Sequence, residues 1–287
     1  MDWANRDPQA GALIRLRGVY PSLKSALQKV ANVILRQPEM AIYASVNEVA
    51  AVAGVSEATV MRFCRTLGFK GFQDFKIALA REMVTPSQTP VEIVGAEDDP
   101  ATIIRKVFQT GIAGLKDTLE VLDAGLMRQA AQDLLKARQI LVFGVGDAAP
   151  VVTYARDRLF LLGLNAHGYT DAYHMMAAAA VSGAQDVLLA ISHLGGSREM
   201  VESAQLGKEA GARIISVTDN TLSPLSRISD LVLTTASRET RRPREELLPF
   251  VCQAAVIDSL VTLILQARPD PSQENLAKIA KVIPKIS

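Results

Sequence analysis

Five short runs between residues 139 and 234 leave this chain few ways to fold. They are QILVF (139–143), LNAHGY (164–169), DVLLAI (186–191), RIISV (213–217) and DLVLT (230–234). Each is too short for a core helix and is bounded by glycine or polar turns, so each reads as a strand. The intervals at 148–163, 173–182, 197–210 and 223–228 carry helical periodicity instead. Strands alternating with helices need crossover connections, and crossovers place helices on both faces of a parallel sheet. The expectation is a doubly wound α/β domain, preceded by helices at 101–122 and 125–137. A long apolar helix from about Glu245 to Gln266 follows, with Phe250, Val256, Leu260 and Leu263 inward. The tail beyond Pro269 is polar and then weakly helical.

The first 83 residues have a different period and read as all-α. Leu23, Leu27, Val30 and Ile34 form one stripe over 22–36, with Pro21 expected to start that helix and Pro38 to end it. SVNEVAAVAGVSEATVMRFCRTLGFKGFQDF (45–75) reads as a helix-turn-helix and a supporting helix. Ser45 can cap a helix over 46–53, with Val46, Val49, Ala50 and Ala53 inward, and Gly54 supplies the left-handed turn. Ser56 can cap a second helix that runs to about Leu67 and is ended by Gly68. Val60, Cys64 and Leu67 recur toward the core, which leaves Glu57, Ala58, Met61, Arg62 and Arg65 outside. After the turn GFKGF, helix resumes at Gln73 with Phe72, Phe75 and Leu79 inward. Such a second helix fits the DNA major groove. Ser56, Glu57, Ala58, Thr59 and Arg62 are placed nearest the bases, with Arg65 and Lys70 on phosphates.

Charge supports the division. Residues 1–85 hold 11 Lys/Arg and 7 Asp/Glu, while the remainder holds 20 and 23. A mildly basic head on a mildly acidic body suits a DNA-binding domain joined to one that leaves DNA alone. The excess is small, so operator binding is expected to need a homodimer or homotetramer. VTPSQTPVEIVGAEDDP (84–100) reads as a linker, which gives domains at 1–83 and 101–287. No apolar run suggests a bilayer span, and the N-terminal segment mixes charges without a signal core. With Cys64 and Cys252 as buried thiols, and no disulfide or metal framework, the expected location is the cytoplasm, without membrane attachment.

Two loops stand where ligands bind in open α/β sheets, after the carboxyl ends of strands. One contains Gly144, Gly146, Asp147 and Ala148; the other runs through Ser192, His193, Leu194, Gly195, Gly196, Ser197 and Glu199. Glycines let backbone N–H groups approach an anion, serine hydroxyls donate to it, and the following helix adds its dipole. The glycines also suit plain strand-to-helix turns.

The segments VSEATVMRF (55–63), LGFKGF (67–72), GVG (144–146), ISHLGGSRE (191–199) and AGARIISVT (210–218), with the later Ser223-Pro-Leu and Asp230, resemble the RpiR-type transcriptional regulators. That family joins a helix-turn-helix head to a SIS (sugar isomerase) domain, and the resemblance covers nearly the whole chain. It implies a dimeric or tetrameric repressor or activator, a small-molecule effector such as a sugar phosphate or related metabolite, and no cofactor. The family's Gly-x-Gly-x-Ser loop has Ala148 here in place of serine and gains Asp147; its Ser-x-Ser-Gly-x-Thr loop has Leu194 for the middle serine. Two hydroxyl donors are thus absent, which opens the effector to unphosphorylated sugars and sugar acids.

Three rival readings arise from the residues. Gly144-x-Gly146-x-x-Ala149 with Asp171 after the next strand fits a dinucleotide fingerprint, and hence an NAD(H)-sensing repressor. An isomerase would need a base, for which Glu199, His174 and His193 are available. The α/β domain could also serve as a dimerisation platform alone, through 177–180 and 250–264.

Overall fold

The computed structural model describes residues 11–84, 94–237 and 248–282. Most of the expected linker, at 85–93, and the expected start of the last long helix, at 245–247, lie outside the described residues. Contacts divide the chain into two units, Met1–Val121 and Leu122–Ser287.

The first unit is helical, with α1 (Ala12–Val19), α2 (Ser25–Arg36), α3 (Pro38–Tyr43), α4 (Val46–Ala53), α5 (Glu57–Thr66), α6 (Phe72–Val84) and α7 (Pro100–Val121). Pro21 does not start α2. It lies in a 3-10 turn over Tyr20–Ser22, Leu23 is extended, and the helix begins at Ser25. Pro38 does more than end α2: it occupies the first turn of α3, where a missing N–H costs nothing. Leu16, Val30, Ile34, Val49, Val60, Phe63, Phe75 and Leu79 are fully buried. Phe75 is the hub of an aromatic cluster, with ring centroids 5.8 Å from Phe63, 5.4 Å from Phe69 and 6.4 Å from Phe72. The edge-on geometry of the first two pairs is the favoured one.

The second unit holds β1 (Gln139–Phe143), β2 (Ala166–Tyr169), β3 (Asp186–Ile191), β4 (Arg213–Thr218) and β5 (Leu231–Thr234), all parallel, in the order β2-β1-β3-β4-β5. Its helices are α8 (Ala124–Lys136), α9 (Ala149–Leu161), α10 (Ala172–Ala180), α11 (Arg198–Glu209), α12 (Pro224–Ile228), α13 (Leu248–Ala267) and α14 (Pro269–Val282). Two cores sandwich the sheet. Val187, Leu189 and Ile191 of β3 pack with α8, α9 and α13, while Leu188 and Ala190 pack with α10 and α11. Burial of β3 on both faces explains its unbroken apolar run. At its start, buried Asp186 accepts from Arg138 Nε at 2.9 Å, Arg138 Nη2 at 2.6 Å, Gln139 Nε2 at 3.1 Å and the Gly183 N–H at 2.9 Å. The Arg138 guanidinium is the main reason its carboxyl titrates below the usual range.

One expectation is corrected. Within α13, Pro249–Ala267 is long and apolar enough to cross a membrane by length and composition. One side of α13, with Val256, Leu260 and Ile264, packs against α8 and α9, and Asp258 accepts from Tyr154 Oη at 2.8 Å and Arg158 Nε at 3.2 Å, whereas Phe250, expected inward, is 40% exposed.

Candidate functional site

The helix-turn-helix forms from its local sequence. Ser45 Oγ accepts from the Glu48 N–H at 3.3 Å, and Glu48 Oε2 accepts from the Ser45 N–H at 2.6 Å, a closed capping box for α4. Gly54 then takes φ 62°, a left-handed turn that turns the chain into α5. Ser56 is the N-cap residue of α5, but its hydroxyl makes no backbone cap. It meets Thr59 Oγ1 at 3.0 Å, so both hydroxyls lie at the open end of the helix.

Val60, Phe63, Cys64 and Leu67 face inward. Phe63 was missed as a core position, although it sits three residues after Val60. Burial pushes the Cys64 thiol up to about 12, so it stays protonated and inert. Ser56, Glu57, Ala58, Arg62, Arg65 and Lys70 are exposed and Thr59 is half-buried, so the expected reading residues share the outer side of α5 and the turn after it. Met61 is half-buried rather than exposed. It packs by Gly71, where a Cβ would lie 3.1 Å from its methyl carbon. Beside it opens a groove of about 540 Å³ that Lys70, Phe72 and Lys76 help to line, and Lys76 Nζ donates to the Ala44 carbonyl at 2.8 Å.

In the second unit, β2 lies on one side of β1 and β3 on the other, so the crossover direction reverses between β1 and β3. The two glycine-bearing loops leave the carboxyl ends of those adjacent strands, paired through Phe143 and Ala190. Gly144 makes the approach close: a Cβ there would lie 3.1 Å from the Ile191 carbonyl oxygen and 2.6 Å from Val152 Cγ2. Gly195 has φ 62°, and a Cβ would lie 2.2 Å from Ser223 Oγ.

The hydroxyls are oriented by their own loop. Ser192 Oγ accepts from the Gly195 N–H at 3.2 Å, and Ser197 Oγ caps α11 by accepting from the Met200 N–H at 3.4 Å. Each keeps its O–H to donate. Gly146, Asp147, Leu194, Gly196 and Glu199 are exposed, whereas Ala148 is buried in the core formed with α9.

Sequence reasoning missed a third loop at the same sheet edge. Thr218 Oγ1 and the Asp219 N–H both donate to the His193 carbonyl, at 2.8 and 3.0 Å, and the Leu225 N–H donates to the Gly195 carbonyl at 3.1 Å. Buried Asp219 accepts from Thr235 Oγ1, from the Ser237 N–H at 2.6 Å and from Ser237 Oγ at 2.5 Å, with His193 Nδ1 3.4 Å away. The polar run TDN directly after a buried strand was the available signal.

The residues behind the rival readings have local employment. Asp171 caps α10 and accepts from both the His174 N–H and the His174 ring, and the backbone bond is the leading reason its carboxyl titrates low. Glu199 stands in the first turn of α11, where an acid suits the helix dipole.

Comparison with known proteins agrees with this architecture. Residues 10–86 match the helix-turn-helix domain of the rpiR family, and residues 133–264 match the SIS domain. The chain is 34% identical over 267 residues to the HTH-type transcriptional regulator HexR of Pseudomonas aeruginosa, covering 93% of each. It is 31% identical over 276 residues to an HTH-type transcriptional regulator of Haemophilus influenzae, covering 94% of this chain and 96% of that one. Among solved structures, the Vibrio vulnificus NanR protein complexed with ManNAc-6P is similar with a TM-score of 0.61 and 26% identity, over 96% of this chain and 99% of NanR. A recognition helix on a capped scaffold, a five-stranded parallel sheet and relatives aligned over more than nine-tenths of their length lead to one conclusion: the chain belongs to the RpiR family of helix-turn-helix transcriptional regulators.

Proposed function

We propose that this regulator reads operator DNA with the outer side of α5 and senses a sugar phosphate, or a closely related sugar or sugar acid, between the 144–148 and 192–197 loops. The observation that carries the effector reading is the meeting of those loops at the reversal between β1 and β3. Backbone N–H groups around Gly146 and Gly196, with the Ser192 and Ser197 hydroxyls, supply donors for an anion. The ManNAc-6P complex of NanR supports the choice of ligand class. Asp147 opposes a phosphate at short range and favours ligands that present hydroxyl or amide donors to it.

The protein acts in the cytoplasm as a homodimer or homotetramer, so that two heads engage paired half-sites. It binds its effector without turning it over. The support for this is the naming of the full-length relatives as HTH-type transcriptional regulators.

A thermal-shift series on the full chain tests the ligand class. Ligand near 100 times its Kd should stabilise the fold by about 2.7 kcal/mol. Sugar phosphates or their parent sugars and acids are expected to do so. Stabilisation by NAD(H) alone would overturn the proposal in favour of a dinucleotide sensor.

A further inference from the structure

Gln253 of α13 is 1% exposed, and its side-chain Nε2 makes no hydrogen bond among the described residues. A buried donor without an acceptor gives up its hydration for nothing, so a glutamine kept in such a place calls for a reason. Its position in the fold supplies one. Gln253 shares the face of α13 that carries Val256, Ile257 and Leu260 into the core. Gly163, just past α9, lies against Asn275 of α14, which follows α13, so α9 and α13 run in the same direction. Asp258 meets Tyr154, five residues into α9. Gln253 precedes Asp258 by five residues, about 7.5 Å of helix, which sets it near the height of Ala149, where the first effector loop enters α9.

The strands show what it faces there. Val142, Ile191, Val217 and Leu233 end the core on the α13 side of the sheet. The two-residue period of a strand puts Gly144, His193, Asp219 and Thr235 next on that side. Asp219 accepts from Thr235 Oγ1, and His193 Nδ1 is 3.4 Å from Asp219. The Gln253 amide therefore lies at the step between the apolar core and the two glycine-bearing loops.

We propose that Gln253 is a positioning residue for the effector site: when the 144–148 and 192–197 loops close on the effector, Nε2 donates to a backbone carbonyl of those loops and holds them. This role rests on the effector reading above. Nε2 is sealed from solvent, so it serves the loops and does not touch the ligand. Because the bond forms only in the closed arrangement, it adds to effector affinity and not to the stability of the free chain. A glutamine that served packing alone would do the reverse.

Gln253→Met and Gln253→Leu remove the amide and keep an apolar side chain of nearly its size. In urea unfolding of the full chain without ligand, at least one of them should be as stable as the parent chain, since an unpaired buried amide has been replaced by an apolar group. Lower midpoints for both would overturn the proposal, by showing that the amide is already bonded in the free chain. Binding is then read with ManNAc-6P, glucose 6-phosphate and their parent sugars. For a compound that binds the parent chain, the stable variant should lose tenfold or more in affinity, mostly through faster dissociation. Equal affinity beside a responsive parent chain would remove the positioning role and leave the effector reading standing. A parent chain that binds none of the four would sink that reading, and this role with it.

Discussion

At Gly144, a built Cβ would come within 2.6 Å of Val152 Cγ2 and 3.1 Å of the Ile191 carbonyl oxygen, and the second of these is backbone that cannot rotate aside. Gly144→Ala is therefore expected to destabilise the α/β unit by about 1–3 kcal/mol in urea unfolding and to weaken effector binding; unchanged stability would show that the two strand ends separate easily. In the proposed effector site Asp147, which is exposed on the first loop, opposes a phosphate through its charge. Two unit charges about 4 Å apart in water interact by ~1 kcal/mol, so Asp147→Asn should tighten a sugar phosphate several-fold and leave the parent sugar nearly unchanged. Titration calorimetry with both ligands would read the difference, and equal effects on both would remove Asp147 from the phosphate's surroundings. Asp186 is the structural counterpart. Its carboxyl titrates below the ordinary range because it is paired when folded, so its contribution is present above the unfolded pKa and lost as pH falls below about 4. Asp186→Ala should cost about 1–3 kcal/mol at pH 7, because Gly183 and Gln139 lose their acceptor, and less in acid, where the native carboxyl protonates. Chemical denaturation at the two pH values measures both.

At the scale of elements, the outer side of α5 has to do two different jobs. In the proposed DNA reading Arg62, exposed on α5, reaches the base edges and Lys70, exposed in the turn after α5, contacts the phosphates. Arg62→Ala should weaken operator binding by about 1–3 kcal/mol with little effect on random DNA, while Lys70→Ala should weaken both alike and reduce the salt slope. Anisotropy titrations on the two DNAs compare them, and an equal loss on random DNA for Arg62→Ala would reassign it to the backbone. Elements with a strong local signal were legible in the sequence. Ser45, Gly54 and Ser56 bracket α4 and α5 within a residue, and the five strands fall within two residues of their expected ends. The misses are places where another contact overrode the local signal. Ser56 had a nearby hydroxyl to bind and left the backbone uncapped, and Pro21 could open a 3-10 turn as readily as a helix. The burial of the Ala148 side chain against α9 was not legible, because a position in a loop carries no information about burial. The Asp219 network was hidden for the reverse reason: Thr235 and Ser237 reach it from beyond β5, and no sequence period links them.

On the scale of the whole molecule, a regulator must make the effector unit and the DNA-reading unit answer to one another. A ligand shifts a conformational equilibrium only by its differential affinity for the two states, and linkage makes the effect reciprocal. The measurement that tests this most directly is operator binding by the full chain at increasing sugar phosphate, paired with sugar phosphate binding at saturating operator. A coupling of about 1–3 kcal/mol is predicted, a 5- to 150-fold change in operator affinity matched by the same factor in effector affinity. An effector that binds tightly and leaves operator affinity unchanged would contradict it.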